Sequence, residues 1–380
     1  MHAPVLRFAA WFVIANIYML VTWAAVELYR GDKPLGAITQ LIYLVAFVAV
    51  GTCFYRVASG RERHLAELLR WAAPVTCLAL VLGFSVSMLI NGVNPVAVLS
   101  RTVASANPEI FQKEVFRSSF EGFGLDPETV RGNLRHEVFG AVLLSMYVST
   151  WAIRFGLVAT SAQRVAYQIS MTSGVLLLAL SLSRSILIAA LLWPLLSLLR
   201  SVRTGQLTTR QVTMALSAAA GVGLLAISGF GLVIWNRFTS DTTGYDSRAE
   251  NYVGAFAALR DHWLTGGFRT AGVGASSHNF VVDSLLRAGI FSALPAAVIV
   301  AVLVLLWIRL VARLHQEPLW MVPLAAALAL PLVRLVTSGG GLIPPIEWVT
   351  LGFVLGVLTF RRELATTRPT ENPLPMALNK

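Results

Sequence analysis

Residues Gly36 to Val57 read GAITQLIYLVAFVAVGTCFYRV, and Arg56 is the only charged side chain among them. At about 1.5 Å per residue, a run of this length crosses the roughly 30 Å hydrocarbon core of a bilayer as one α-helix. Similar runs recur along the chain, which is 56% hydrophobic and 13% charged. Soluble domains carry roughly 25% charged residues, and β-barrels show only weak alternating segments. The sequence therefore excludes a soluble globular protein and predicts an all-α integral membrane protein.

The loop that follows this run is the strongest topological signal in the chain. Arg56, Arg61, Arg63, His64 and Arg70 fall within fifteen residues. Because cytoplasmic loops of membrane proteins are enriched in lysine and arginine, this loop is predicted to face the cytoplasm. The formal net charge of +11 is then read as a property of the inner loops, and no nucleic-acid partner is predicted.

Placing the other apolar runs around this loop predicts about ten transmembrane helices with both termini inside, the seventh at about 211–235. Residues 1–363 form the predicted polytopic membrane domain. It has two large outer loops, at about 92–137 and about 237–278. Residues 364–380 form a predicted cytoplasmic tail.

Two local features refine this topology. As a helix, residues 167–199 would be about 50 Å long, which is too long for one span and slightly short for two. Two short spans with Arg184 at the outer crest are predicted there, because this arrangement keeps the next arginines inside. The Gly352-x-x-x-Gly356 spacing predicts close helix packing rather than dimerisation.

The second outer loop is polar and contains GYDSRAENYVGAFAALRDHWLTGGFRTAGVGASSHN, residues 244–279. Ser247 and Glu250 have the spacing of a capping box, so a short amphipathic helix is predicted to begin there and to lie along the outer face of the membrane. Its free backbone donors and the positive end of its dipole, with Arg248 beside them, favour a phosphate group. The alternative is that Arg248 only reaches lipid headgroups.

This loop ends at His278 and Asn279, from which one long apolar helix is predicted to run to about Leu310. An imidazole can accept a proton from a hydroxyl near neutral pH, so His278 is a candidate general base. A lone histidine at the membrane interface can also be structural, and both interpretations stay open. Gly266 and Gly267 are predicted to let the backbone pass close to a ligand, but no Walker-type lysine follows them. No second metal-ligating side chain has a suitable spacing, so no metal site is predicted.

Arg184 and Arg334 are unusual because each lies in an otherwise apolar run near the predicted outer side. A charge in such a place is costly and usually faces the interior of a helix bundle or a polar cavity. With Arg248 and His278 they could line one outward-facing pocket that has several cations and one base. Such a pocket suits a diphosphate leaving group, because arginines stabilise its departing charge. No cofactor is predicted.

At these residues the chain resembles the O-antigen ligase and O-antigen polymerase superfamily of bacterial inner-membrane glycosyltransferases. The similar features are Ser183-Arg184 at the start of a short apolar helix, Ser247-Arg248 in the large loop, the Trp263-Leu264 turn with Gly266-Gly267, and His278-Asn279. In the ligases, His-Asn is followed by nine residues, Gly, two residues, and then Gly, Thr or Tyr. Gly289 fits that spacing, and Ser292 departs from it at the last position. The detailed likeness covers about 110 residues, 183–292.

The resemblance implies a metal-independent transfer of an undecaprenyl-diphosphate-linked glycan to an acceptor hydroxyl at the periplasmic face. In that reaction His278 would activate the acceptor, Arg248 and Arg184 would bind the diphosphate, and in-line displacement would invert the anomeric centre. The further substrate-binding candidates are Asn279, which belongs to the motif, and Arg334, Arg101 and Arg117, which belong to none.

The resemblance leaves the acceptor open. A polymerase of O-antigen or exopolysaccharide repeat units is the leading expectation, and a ligase that moves finished glycan onto lipid A-core or a protein is the alternative. From other classes, a transporter of lipid-linked glycan would place polar breaks near the bilayer midplane, and an envelope-assembly scaffold would need no arginine in the membrane. The expected partners are the donor, a glycan or lipid-linked acceptor, membrane lipids and other polysaccharide-assembly proteins. The expected location is the bacterial inner membrane, with the active site facing the periplasm.

Overall fold

The computed structural model describes residues 4–31, 33–90, 92–107, 110, 133–158, 160–180, 184–207, 209, 253, 256–257, 260, 262–266, 279–337 and 345–367. Within these ranges the chain is helical and has no strand. The helices with defined bounds are α1 (Pro4–Tyr29), α2 (Leu35–Ala58), α3 (Arg63–Ile90), α4 (Pro95–Ser105), α5 (Asn133–Phe155), α6 (Ser161–Leu180), α7 (Arg184–Thr204), α8 (Phe280–Ala288), α9 (Ile290–Ala312), α10 (Met321–Thr337) and α11 (Pro345–Thr367). A 3-10 turn at Leu314–Gln316 follows α9.

Six of the described helices are long and apolar enough to cross a membrane, namely α1, α2, α3, α5, α7 and α9. The all-α, multi-pass membrane architecture predicted from the sequence agrees with this finding. Two further helices, α10 and α11, contain shorter apolar stretches at Met321–Leu335 and Pro345–Phe360. The predicted seventh span lies outside the described residues, and so does most of the loop at 237–278. Helix α11 continues to Thr367, past the predicted start of the tail at 364.

The break predicted within residues 167–199 is confirmed, because α6 ends at Leu180 and α7 begins at Arg184. The single long helix predicted from His278 to Leu310 is wrong. The chain turns at Gly289, whose φ of 70° and ψ of −164° separate α8 from α9. Positive φ is tolerated by glycine because it lacks a Cβ atom.

The two shorter apolar helices form the centre of the bundle. Every residue from Met321 to Leu332 in α10 is buried. A helix that is apolar on all sides is typical of such a central position. Helix α11 packs closely on α2, since a Cβ atom at Gly352 would lie 2.7 Å from the carbonyl oxygen of Phe47, and one at Gly356 would overlap the carbonyl oxygen of Gly51. The predicted role of the Gly352-x-x-x-Gly356 spacing in close packing is confirmed.

Helix α10 stops short of the helix beside it. Its start lies at the end of α5, where the rings of Trp320 and Phe155 are 5.4 Å apart. Near its other end, Nη1 of Arg334 lies 3.5 Å from the position of a Cβ atom on Gly140. The residues of α5 from Asn133 to Gly140 therefore extend about 10 Å beyond this contact. Helix α10 itself ends three residues after Arg334, at Thr337.

The first turns of α7 and α11 lie near the same level. Arg154, near the C-terminal end of α5, and Arg200, near the C-terminal end of α7, donate hydrogen bonds to the carbonyls of Leu319 and Glu317. The two helices therefore run in the same direction. Tyr147 of α5 donates to the carbonyl of Ala189 at 2.7 Å. Counting back along both helices puts Gly140 about level with the turn that begins at Arg184. Two of the arginines selected from the sequence, Arg184 by its backbone and Arg334, thus lie at one level.

Candidate functional site

The structure describes some of the predicted site residues and not others. His278, Arg248 and Arg117 lie outside the described residues, and for Arg184 the description covers the backbone at the start of α7. Arg101 is exposed on α4, whose buried residues are Val98 and Thr102. Arg334 is buried and Asn279 is half-buried, and the candidate site is built around these two residues.

Asn279 is the N-cap of α8. Its side-chain oxygen accepts hydrogen bonds from the backbone N–H groups of Val281 and Val282 at 3.0 and 3.3 Å. Asp283 in the first turn adds a negative charge at the positive end of the helix dipole. The nine residues of α8, which end before Gly289, fill the interval between Asn279 and that glycine. The motif spacing therefore corresponds to a short helix with a capped start and a glycine at its end.

Helix α8 runs back into the bundle beside α1. Ser292, just after the turn at Gly289, accepts a hydrogen bond from the indole N–H of Trp23. Ser284 lies 4.0 Å from the sulfur of Met19, which is one turn nearer to the start of α1 than Trp23. Because α8 continues in that direction, Asn279 lies about level with the turn of α1 that contains Asn16. His278 precedes a helix start that is within the bundle.

Two side chains of α1 and one that directly follows it hold α8, and we refer to Trp23, Glu27 and Arg30 as the α1 clamp. Glu27 Oε1 accepts from Nε and Nη2 of Arg287 at 2.9 and 2.7 Å. The guanidinium of Arg287 lies 4.3 Å from the centre of the Trp23 ring, a cation–π contact. The side chains of Arg287 and Glu27 are 26% and 12% exposed, so solvent screens the pair less than a surface ion pair.

Arg30 of the clamp binds backbone carbonyls at the end of α8 and in the turn at residues 263–266. Its guanidinium donates to the carbonyl of Arg287 at 3.1 Å, to that of Gly266 at 2.6 Å, and to that of Thr265. The turn at residues 263–266 is thereby fixed to the end of α8. The turn belongs to the loop at 237–278, of which residues 253, 256–257, 260 and 262–266 are described.

The glycines of this turn allow two backbone segments to meet. Gly266 has a φ of 77°, and a Cβ atom there would overlap the carbonyl oxygen of Leu286. A Cβ atom at Gly289 would overlap the carbonyl oxygen of Leu264. The sequence predicted that Gly266 lets the backbone approach a ligand, but the close approach is to the backbone of α8. Gly267 lies outside the described residues.

Arg334 forms a buried ion pair with Glu347, the acidic residue in the first turn of α11. Nη1 of Arg334 and Oε1 of Glu347 are 2.7 Å apart, and the two side chains are 6% and 2% exposed. The carboxylate neutralises the arginine at the point where α10 ends and α11 begins. Trp348, the next residue, packs on Phe47, which is near the middle of α2. A charged pair thus lies deep in the membrane domain.

Buried polar side chains of α1 and α2 lie near the same level. Asn16 is fully buried and donates to the carbonyl of Phe12 at 2.7 Å, while its side-chain oxygen has no hydrogen-bond partner among the described residues. Gln40 is 1% exposed, and its side-chain oxygen is likewise without a partner in the described part of the chain. Buried polar atoms usually have a partner, so these oxygens mark a polar region inside the bundle.

The sequence analysis missed most of these residues. Glu27 and Glu347 are single acidic residues in or next to apolar runs, and that rarity was the available signal. The spacing of four residues between Trp23 and Glu27 places them on one face of α1, with Arg30 directly after the helix, which is a second signal. Within the described ranges, no group of three or more His, Cys, Asp or Glu side chains is arranged to hold a metal ion.

No protein-family model matches this sequence, and no curated protein matches it either.

Proposed function

We propose that the protein is a membrane glycosyltransferase that moves a glycan from undecaprenyl diphosphate to an acceptor hydroxyl, and that it polymerises repeat units of O-antigen or exopolysaccharide. The observation that carries this proposal is the placement of α8. A nine-residue helix begins directly after His278-Asn279, runs inside the bundle beside α1, and is held there by Glu27 and Arg287. A general base must lie within hydrogen-bonding distance of one hydroxyl, and a rigid supporting helix meets that demand.

The proposed setting is the bacterial inner membrane, with ten spans, both termini in the cytoplasm and the loop at 237–278 in the periplasm. In this topology Arg184, Arg248 and His278 face the periplasmic side. Nucleotide sugars are absent there, so a donor must already be activated on a lipid diphosphate. The six candidate membrane-crossing helices and the two short central helices support a polytopic arrangement of this kind.

In the proposed reaction, His278 accepts the proton of the acceptor hydroxyl while the hydroxyl oxygen bonds to the anomeric carbon of the donor glycan. The bond between that carbon and the diphosphate oxygen breaks, and undecaprenyl diphosphate leaves with the electron pair. Arg248 and Arg184 stabilise the charge of the leaving diphosphate. Displacement in line inverts the anomeric configuration, and a product with retained configuration would contradict this mechanism.

The other candidate residues have different proposed roles. Arg334 has a structural role, because Glu347 already neutralises its charge. Asn279 supports His278 by capping α8. Arg101 and Arg117, in the loop at 92–137, stay candidates for contacts with the glycan or with lipid headgroups.

The decisive experiment is the glycan profile of cells that lack the protein, compared after complementation with wild type and with His278→Ala. We expect the deletion strain and the His278→Ala strain to accumulate single repeat units on the lipid carrier or on a core lipid. His64→Ala is the matched control, because His64 lies at the exposed start of α3 and should restore full polymer length. Membrane levels of each variant are measured by immunoblot.

The same profile separates the alternatives. Long polymer that persists on undecaprenyl diphosphate, with only its attachment lost, would identify a ligase. Full polymer length in the His278→Ala strain would refute the proposed base and would favour a scaffold.

One observation favours a second candidate, a transporter of lipid-linked glycan. The first turn of α11 packs near the middle of α2, and the ion pair of Arg334 and Glu347 lies at that turn. Transporters often place broken helices and charged groups at such a depth. Reconstituted vesicles that hold a lipid-linked saccharide separate the two functions, since a transporter moves it across the bilayer without forming a glycosidic bond.

A further inference from the structure

We propose that Glu27 is a positioning residue for the site at the start of α8. Its ion pair with Arg287 holds α8 at one angle beside α1, and it thereby fixes the location of Asn279, the residue that follows the proposed base in the sequence. This inference rests on the proposed function for its effect on catalysis, while its effect on the placement of α8 is independent of that function.

The contacts of α8 give the clamp this role. Phe280, at the start of α8, belongs to the main hydrophobic core. Leu286 instead forms a small separate cluster with Val282 and Leu285. Ala288, at the end of α8, also belongs to the main core, and the polar contacts of Arg287 add to these apolar contacts and hold the last turn of the helix to α1.

In this ion pair the charge of each residue is neutralised by the other. Glu27 Oε1 receives both donors of Arg287, while Oε2 is buried with no hydrogen-bond partner among the described residues. Arg287 also stacks on Trp23. If either charge is removed, the other is left in a poorly solvated place, so that α8 moves until the remaining charge reaches water.

A small movement of α8 has a large effect at its start. Gly289 is the pivot, and Asn279 is about 15 Å away along the helix. A rotation of about 5° about Gly289 then shifts Asn279 by about 1 Å, and a misplacement of that size can reduce a catalytic rate about 100-fold. Arg184 belongs to α7 and is unaffected by this rotation, so its contribution to donor binding is preserved.

The kinetic test uses purified full-length protein in nanodiscs with the lipid-linked donor. For Glu27→Gln we expect kcat to fall about 100-fold while KM for the donor changes little. Glu62→Gln is the matched control, because Glu62 pairs with Arg56 in an exposed ion pair at 3.1 Å. It should leave both constants unchanged.

The placement test measures α8 directly and does not require activity. Met19→Cys and Ser284→Cys are combined in a chain whose two native cysteines are replaced by alanine, and a short, membrane-permeable bifunctional thiol reagent is added, because both positions are buried. The side chains are 4.0 Å apart in the native chain, so we expect a high rate of cross-linking with Glu27 present and a lower rate with Glu27→Gln. In the Glu27→Gln chain, the fraction of molecules that is cross-linked should recover kcat, a result that only a positioning role predicts.

The outcomes are distinct. Unchanged kcat and unchanged cross-linking in Glu27→Gln would overturn the inference, as would failure of Met19→Cys and Ser284→Cys to cross-link with Glu27 present. If Glu27→Gln does not accumulate in membranes, Arg287→Lys replaces it, since lysine keeps the charge but loses the two-pronged contact. Full activity of His278→Ala, together with cross-linking that depends on Glu27, would refute the proposed function and leave the positioning of α8 intact.

Discussion

The buried ion pair between Arg334 and Glu347 allows a sharp test of whether Arg334 is structural or binds substrate. Its side chains are 6% and 2% exposed, with 2.7 Å between Nη1 and Oε1. Arg334→Met would leave the carboxylate buried without its partner. Breaking a buried pair in this way costs about 3–5 kcal/mol. Glu347→Gln would leave the guanidinium unpaired, at a similar cost. In the double variant neither charge remains, and the cost should fall to about 1 kcal/mol or less.

The assay is the unfolding of purified protein in mixed micelles by increasing amounts of sodium dodecyl sulfate. The chain contains 10 tryptophans, so intrinsic fluorescence reports the transition. Wild type, both single variants and the double variant form a double-mutant cycle, which isolates the energy of the pair. We expect the double variant to be more stable than either single variant.

Two results would refute this reasoning. Additive losses in the double variant would mean that the two charges do not stabilise each other. A stable double variant that forms no polymer would instead assign Arg334 to the substrate, as the sequence analysis allowed. A stable double variant that keeps activity would confirm a structural role.

Two further predictions concern the packing of glycine and the helix cap. Gly356→Ala should destabilise the protein by about 1–3 kcal/mol in the same unfolding assay, because its new methyl group would overlap a backbone oxygen of α2; Gly83→Ala is the control, since a Cβ atom there meets nothing within 4 Å and should be neutral or slightly stabilising. Asn279→Ala should remove the cap of α8 at a cost of about 1 kcal/mol and should shorten the glycan, whereas Asn279→Ser should keep both, and equal behaviour of the two variants would contradict the capping role.

The sequence predicted those features that depend on composition and on run length. The apolar run at Gly36–Val57 and its neighbours predicted the helical membrane class, which does not require knowledge of contacts. The excess length of residues 167–199 predicted a break, and α7 does begin at Arg184. In each case the length of an apolar run is compared with the thickness of the hydrocarbon core of the bilayer.

The break at Gly289 could not be predicted in this way. Apart from Asp283, Arg287 and two serines, the residues on both sides of it are apolar, so hydropathy alone favours one continuous helix. The turn exists because the backbone of Leu264 lies against Gly289, and that contact joins segments separated in sequence. The partners of the ion pairs cannot be predicted from the sequence either. The sequence shows that Arg334 is a costly charge in an apolar run, but the identity of its partner depends on how α10 and α11 pack.

The interval of nine residues between Asn279 and Gly289 has a physical basis in the placement of α8. An α-helix turns by roughly 100° per residue, so that adding or removing one residue would rotate one end relative to the other. Arg287 could then no longer face Glu27 while the residues before Asn279 keep their direction. Ser292 is a different matter, because it is fully buried and accepts a hydrogen bond from Trp23. The residue at 292 is therefore part of the packing beneath Trp23.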